Sequence, residues 1–476
     1  MAGIVSYGAH IPVTRIGPDT KGWDSTIEKA VAYYDEDSLT MAVSAAIDCL
    51  GNIDRRAVDG LFFASTTSPY SEKLISTTIA TAVDLRDDII THDCTNSLRS
   101  GTGALRLALD SVKAGSVNQV LVTAADCRIA IPRGSFDLSF GDGAASFMVG
   151  NTNVIATIEG SYSISDEMLD IWRTSTSKYV RSWEERFVYD EGYNRVFPLV
   201  VKGLLDKCQL KPGDITKAVL YGPDRRRHAA MAKMLGFQPA QIQDPLFGKL
   251  GNTGTAFSLM LLVAALEDAK PGDKILCASY GNGADALLLK VTDEIVKVKN
   301  KRAIKYNLGT KMMLDNFDSY LSYRHQAFAD AEPQLPFRPS ASCIWRERDS
   351  IYRLYGSKCK TCGTIQYPPQ RVCTKCRAKD NFDNIRLSDK KGNLFTYSLD
   401  IMAAVPRFDL PMVDAVIDFE GGGRGNFMMT DKNPMEIKVG MEVEMTFRKL
   451  HTAQGIHNYY WKCMPVRDSK QTKGEN

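Results

Sequence analysis

Along residues 1–295, short runs of β-branched and aromatic residues alternate with stretches whose apolar positions recur at helical spacing. GIVSYGAHIP, GLFFAST, QVLVTAADC, SFMVG, AVLYGP and KILCASYG read as strands. Strands alternating with helices imply an α/β architecture. Two glycine-rich turns, FGDGAAS at 140–146 and SYGNGAD at 279–285, each run into an apolar strand, so residues 1–150 and 151–295 predict two copies of one unit. The pattern changes over residues 296–345, which are charged, partly helical and end near a proline-rich stretch. That segment predicts a linker carrying docked helices. Beyond Asn381 come LFTYSLDI, MVDAVIDF, GNFMMT and EVEMTFRKL without helical interludes, which predicts a small β-barrel over 381–470.

Between linker and barrel, over 346–380, stand two Cys-x-x-Cys knuckles, Cys359/Cys362 and Cys373/Cys376. Four thiolates at ribbon spacing surround one tetrahedral ion, so a structural zinc site is expected. With no open position, the ion holds shape and does no chemistry. The other seven cysteines are scattered singly, as reduced thiols of a cytoplasmic protein are. Of the 476 residues, 59 are Lys or Arg and 56 Asp or Glu, too even a balance for a nucleic-acid or anionic-membrane partner. The N-terminus lacks a signal-peptide pattern, and no apolar run reaches spanning length.

The ribbon with Tyr367-Pro-Pro369 between its knuckles, AVIDFEGGGRGNFMMTD and VGMEVEMTFRKL together resemble the zinc-ribbon plus OB-fold domain that accompanies thiolase-type enzymes and is thought to bind acyl-CoA. Residues 1–295 resemble the thiolase superfamily, on the branch of HMG-CoA synthase and the initiating ketoacyl-ACP synthase. The pieces that carry this are Phe140-Gly-Asp-Gly143, Gly251-Asn-Thr253 with AFSLMLLVAAL behind it, and Ser279-Tyr-Gly-Asn-Gly283. The resemblance implies a duplicated five-layered α/β fold, then a rubredoxin-like ribbon and an OB-fold barrel. It also implies an acyl-CoA ligand and a homodimer.

That branch uses a cysteine nucleophile at a helix N-terminus, where the dipole favours the thiolate. Aligned without gaps, Asn96-Ser-Leu-Arg-Ser-Gly-Thr-Gly puts Leu98 at that position. A shifted alignment of Cys94-Thr-Asn-Ser-Leu-Arg99 makes Cys94 the nucleophile instead, and both stay open. The family's histidine position falls on Tyr221, a candidate hydrogen-bond donor or acid/base. His228, two turns further on, reads as a helix residue. The general-acid glutamate position falls on Thr67. Asn252 matches the asparagine that orients a water or donates to the thioester oxygen. Arg225, Arg226 and Arg227 open a helix, where a CoA phosphate would neutralise them; a solvated surface run is the plainer reading.

Three functions fit this pattern. One is an enzyme that forms or cleaves a carbon–carbon bond on an acyl-CoA without a covalent cysteine, as in retro-aldol cleavage. The second is an acyltransferase of the thiolase or HMG-CoA synthase kind working through Cys94. The third is a catalytically inactive CoA-binding or scaffold subunit beside another thiolase-like chain.

Overall fold

The computed structural model describes residues 2–298, 301–326, 340–402 and 409–467. The chain forms two compact units: Met1–Ala32, Asp37–Ala80 and Leu85–Tyr320 make the first, and Tyr33–Glu36, Thr81–Asp84 and Leu321–Asn476 the second.

In the first unit, β1 (Gly3–His10), β2 (Gly60–Ser65), β3 (Ile90–Thr95), β4 (Gln119–Asp126) and β5 (Gly143–Gly150) lie in the order β3-β2-β4-β5-β1. The same sheet continues through β6 (Ala156–Ser165), β7 (Lys217–Leu220), β8 (Lys274–Tyr280) and β9 (Gly283–Val291), in the order β7-β8-β9-β6. Numbered within its own half, the first set runs 3-2-4-5-1 and the second repeats 2-4-5-1. Orientations also repeat: 2 and 4 are parallel, while 4-5 and 5-1 are antiparallel in both halves. The place of a third strand in the second half is held by a single parallel bridge, Ala218 to Ile242. The duplication expected from the two glycine turns is therefore present as a repeated topology.

Helices complete five layers. α1 (Ser38–Leu50) packs on β1, β4 and β5, and α2 (Ser100–Lys113) on the opposite face of that half. α3 (Asn194–Lys207) covers β6, β8 and β9, while α5 (Phe257–Glu267) touches strands of both halves. An ordinary surface helix is apolar on one stripe only. α5 is buried from Phe257 to Leu266 because sheet or helix faces it on every side. α1 begins at a capping box in which the Asp37 carboxylate accepts from Thr40 N and the Thr40 hydroxyl accepts from Asp37 N. The first glycine motif also has a physical cause, since a Cβ on Gly141 would lie 1.8 Å from the Leu250 carbonyl oxygen. Of the expected linker, Ala303–Gly309, Phe317–Tyr323 and Ala341–Arg346 are short helices. Residues 299–300 and 327–339, with the proline-rich stretch, lie outside the described residues.

The second unit holds the ribbon and the barrel. β10 (Tyr355–Cys359), β11 (Ile365–Gln366) and β12 (Phe382–Arg386) pair as β11-β10-β12. The four ribbon thiols converge, all within 4.8 Å of one another, with Cys359 to Cys376 at 3.6 Å and Cys362 to Cys373 at 3.5 Å. A tetrahedron with Zn–S bonds of ~2.3 Å has edges of about 3.8 Å, so the set fits zinc. Five strands follow: β13 (Gly392–Asp400), β14 (Met412–Phe419), β15 (Arg424–Met428), β16 (Glu442–Ala453) and β17 (Ile456–Pro465), in the order β15-β14-β13-β16-β17. The Thr430 N–H donates to the Cys463 carbonyl and Met429 bridges Cys463, which closes the barrel from β15 to β17. β14 buries Val413, Ala415, Ile417 and Phe419 in strict alternation, the two-residue period of a strand with one face in the core.

Charge is buried beside that core. The Arg448 guanidinium meets Asp35 at 3.3 Å, Glu36 at 2.8 Å and Asp431 at 2.6 Å, and Lys462 meets Asp35 at 2.8 Å. Lys432 and the hydroxyls of Tyr33 and Tyr34 converge on Asp409. Burial alone would raise the Asp35 carboxyl, but Lys462 and Arg448 more than reverse it and hold the group below the usual range. Such a carboxylate adds stability above its unfolded pKa and loses it as the pH falls through the lowered one.

Two expectations follow from this unit. Cys359→Ser with Cys376→Ser should release zinc and lower the Tm of the C-terminal unit, because folding and binding are coupled; stoichiometric zinc in the double variant, measured by elemental analysis, contradicts the assignment. Asp35→Asn should cost about 3–5 kcal/mol at neutral pH by orphaning buried cations. Urea titrations should show that deficit shrinking toward acid, where the parent loses the same contribution; a deficit constant with pH contradicts it.

Candidate active site

β4 ends at Asp126, which is fully buried and accepts six hydrogen bonds. Oδ1 takes the Ser65 hydroxyl (3.0 Å), the Thr66 N–H (2.7 Å) and the Thr67 hydroxyl (2.9 Å). Oδ2 takes the Thr66 hydroxyl (2.9 Å) and both the N–H (2.8 Å) and hydroxyl (2.7 Å) of Thr255. Residues 65–67 leave β2 in the first half, whereas Thr255 precedes α5 in the second. One carboxylate therefore joins the two halves at the ends of their strands.

Above it opens a cavity of 760 Å³. Leu98, Arg128, Asp170 and Gly281 are among its lining residues. Leu98 lines the cavity and stands just before α2, whose N-terminus has no side-chain cap. The Ser97 hydroxyl donates to the Gly281 carbonyl at 3.0 Å, and a Cβ on Gly281 would come within 3.1 Å of the Leu98 N. Hydrocarbon thus occupies the helix-terminal position at which the resemblance leads one to look for a nucleophile.

Cys94 lies on edge strand β3, packed against the apolar core, and the cavity lining passes through Asp93 and Thr95 on either side of it. Burial and then the Asp93 charge push its thiol up to about 11, the opposite of an activated thiolate. Tyr221 and Asn252 are brought together: the Asn252 amide donates to the Tyr221 hydroxyl at 3.3 Å and to the Gly222 carbonyl at 3.4 Å. Asn252 Oδ1 accepts from the Gly254 N–H (3.0 Å) and from Arg128 Nη2 (2.8 Å). Burial raises the Tyr221 phenol against the pull of Arg128, so the tyrosine keeps its proton and can donate. Thr67 lines the cavity but is engaged, its hydroxyl donating to Asp126 and accepting from the Cys127 N–H at 2.9 Å.

The arginine run lies elsewhere, at the start of α4 (Arg225–Met234). Arg227 is paired with Asp224 at 2.6 Å and Glu185 at 3.2 Å and stacks on Tyr189, while Arg225 and Arg226 are exposed. His228 is buried in the same helix, and burial lowers its imidazole to about 4.

Sequence reasoning missed Asp170 and Arg128. Asp170 sits in a loop without a motif, yet it is buried, lines the cavity and accepts from the Tyr280 hydroxyl and the Ile171 N–H. Burial raises its carboxyl above the usual range. Arg128 follows β4 by two residues, and its guanidinium lies 3.8 Å from the Phe140 ring centroid. A signal for it existed in Arg128 standing two residues past an apolar strand that leads to the site. Asp126→Ala should strand buried donors from both halves and cost about 3–5 kcal/mol in chemical denaturation; a loss under about 1 kcal/mol contradicts the joining role.

The comparisons agree with this architecture. A model for the C-terminal domain of 3-oxoacyl-[acyl-carrier-protein] synthase III matches residues 205–290. The ChsH2 rubredoxin-like zinc ribbon matches 346–382, and the ChsH2 C-terminal OB-fold 385–448. Hydroxymethylglutaryl-CoA synthase of Methanocaldococcus jannaschii is 32% identical over 342 residues, 68% of this chain and 99% of that one. The Aeropyrum pernix enzyme is 34% identical over 333 residues, 66% and 92% of the two chains. Among solved structures, HMG-CoA synthase complexed with CoA matches at a TM-score of 0.60 with 15% identity, covering 71% of this chain and 94% of that one. The 3-oxoacyl-[acyl-carrier-protein] synthase III of Aquifex aeolicus matches at 0.55 with 21% identity, covering 61% and 100%; at such identities the likeness carries the fold. The chain belongs to the hydroxymethylglutaryl-CoA synthase family, extended by a zinc ribbon and an OB-fold barrel.

Proposed function

We propose that this protein makes or breaks a carbon–carbon bond next to the thioester of an acyl-CoA, without an acyl-enzyme intermediate. The observation that carries the reading is Leu98 at the amide end of α2, inside a cavity that also holds the desolvated acid Asp170. Relatives named for HMG-CoA synthesis supply the acyl-CoA class and the bond type.

In the cleavage direction the substrate is a β-hydroxyacyl-CoA. The Asp170 carboxylate takes the β-hydroxyl proton, and the Cα–Cβ bonding pair passes to the thioester as an enolate. The β-carbon departs as a carbonyl compound, and the proton returns to Cα to give the shorter acyl-CoA. Enolate charge develops facing the N-terminal amides of α2, whose dipole stabilises it. Asn252 and Tyr221 act behind this surface as positioning residues, since Asn252 holds Arg128 and is itself held by Tyr221 and Gly222.

The setting completes the proposal. β3 is an edge strand with Ile90 46% exposed, which supports pairing with a second copy as a homodimer. All eleven cysteines are free of disulfides, which supports a reducing, cytoplasmic compartment. No described helix is long and apolar enough to cross a membrane.

Because a base must be ionised, turnover of β-hydroxyacyl-CoA should fall as the pH drops through a value above the ordinary carboxylate range. Asp170→Asn should lower kcat by about 10²–10⁴. An unchanged kcat in that variant, or a rate independent of pH through the acid range, contradicts the assignment.

A further inference from the structure

Asp170 interrupts an apolar run, Met168-Leu-Asp-Ile-Trp172, and all five residues line the cavity. The run is held at both ends. At its start the Asn282 side-chain amide and the Asp170 N–H donate to the Met168 carbonyl, at 3.2 Å and 3.0 Å. Just past its end Arg173 Nη2 donates to the Thr66 carbonyl at 3.1 Å, while Ile171 and Trp172 pair with Ser182 and Arg181. Ile171 also packs on the small core of Ala130, Phe140 and Val180. Leu169, by contrast, is 64% exposed, and Leu74, which lines the same cavity, is 41% exposed. Apolar side chains kept in water on a cavity wall forgo the gain of burial, which a ligand with hydrocarbon of its own would restore. The hydroxyls of Ser65, Thr66, Thr67 and Ser97 on the other walls are already donated, to Asp126 and to the Gly281 carbonyl.

We infer that the run around Asp170 reads the group carried on the β-carbon, so that the substrates are β-hydroxyacyl-CoAs with an apolar β-substituent and the carbonyl product is an apolar aldehyde or ketone. The inference rests on the retro-aldol reading of the cavity and adds its specificity. A carboxylate that takes the β-hydroxyl proton lies about 3 Å from that oxygen. The side chains flanking it in the chain are then the ones that meet whatever else the β-carbon carries. Leu169 and Trp172 stand on either side of Asp170, and an alkyl group laid along them and Leu74 covers hydrocarbon that otherwise faces water. The run is anchored to the Asn282 turn and to the loop after β2 before a ligand arrives, so little ordering remains to be done on binding.

The test follows cleavage of 3-hydroxybutyryl-CoA, 3-hydroxyhexanoyl-CoA and 3-hydroxyoctanoyl-CoA by the full chain, which would release acetaldehyde, butanal and hexanal beside acetyl-CoA. Values of kcat/KM should rise by about two- to fourfold for each added methylene. Leu169→Ser combined with Leu74→Ser, both at exposed positions, should flatten that series. A flat or falling series in the parent, or a rise that survives the double variant, overturns the inference while leaving the retro-aldol reading intact. Cleavage of none of the three overturns both. A flat series in the parent, with a dimer that light scattering shows to come apart in the double variant, assigns Leu74 and Leu169 to a second copy and likewise overturns the inference. If the double variant does not fold, Leu169→Ala alone carries the same comparison.

Discussion

A single buried carboxylate sets the geometry on which the site depends. Asp126 has no free lone-pair direction left once six donors have approached it, and those donors come from the loop after β2 and the turn before α5. Each donor would otherwise be a buried polar group without a partner, at a cost of about 1–3 kcal/mol. The two halves of a duplicated fold are consequently fixed where their strand ends face the cavity. Thr67, Thr255 and the Asn252 turn inherit their places from that contact.

On this frame the proposed chemistry differs from that of a cysteine enzyme in one way. In the proposed chemistry the leucine that lines the cavity just before α2 takes the place of a covalent nucleophile, and a helix dipole stabilises an enolate without any bond to the chain. The remaining groups are desolvated: Asp170 raised, Tyr221 kept protonated, Arg128 buried with Asp126 and Asp142 as nearby charges. In a low dielectric each interacts with a reacting charge more strongly than it would in water. An acid poised upward in the same cavity as a buried guanidinium suits the proton transfer proposed above.

Much of the fold was legible because it rests on local patterns. Strict alternation in MVDAVIDF produced β14, the paired Cys-x-x-Cys knuckles produced the ribbon, and the FGDG turn requires glycine at 141 because a carbonyl of a distant turn sits there. Of the residues expected from family positions, Tyr221 and Asn252 are brought into hydrogen-bond contact with each other. Asp170 and Arg128 carry no pattern of their own; what distinguishes them is burial against residues far along the chain, which spacing cannot reveal. Arg227 shows the converse: a run of three arginines invited a phosphate, but this one is already paired with Asp224 and Glu185. The sequence left the choice between Leu98 and Cys94 open; the fold puts Leu98 in the cavity lining just before α2 and Cys94 on β3 between two lining residues.

The central claim is carbon–carbon bond chemistry on an acyl-CoA without a covalent intermediate. It is tested most directly by rapid-quench mass spectrometry of the intact chain during turnover of a β-hydroxyacyl-CoA, with products followed in the same samples. The account predicts a carbonyl product and a shortened acyl-CoA forming while the chain keeps its unmodified mass. An acyl adduct that forms and decays at the rate of turnover would contradict it.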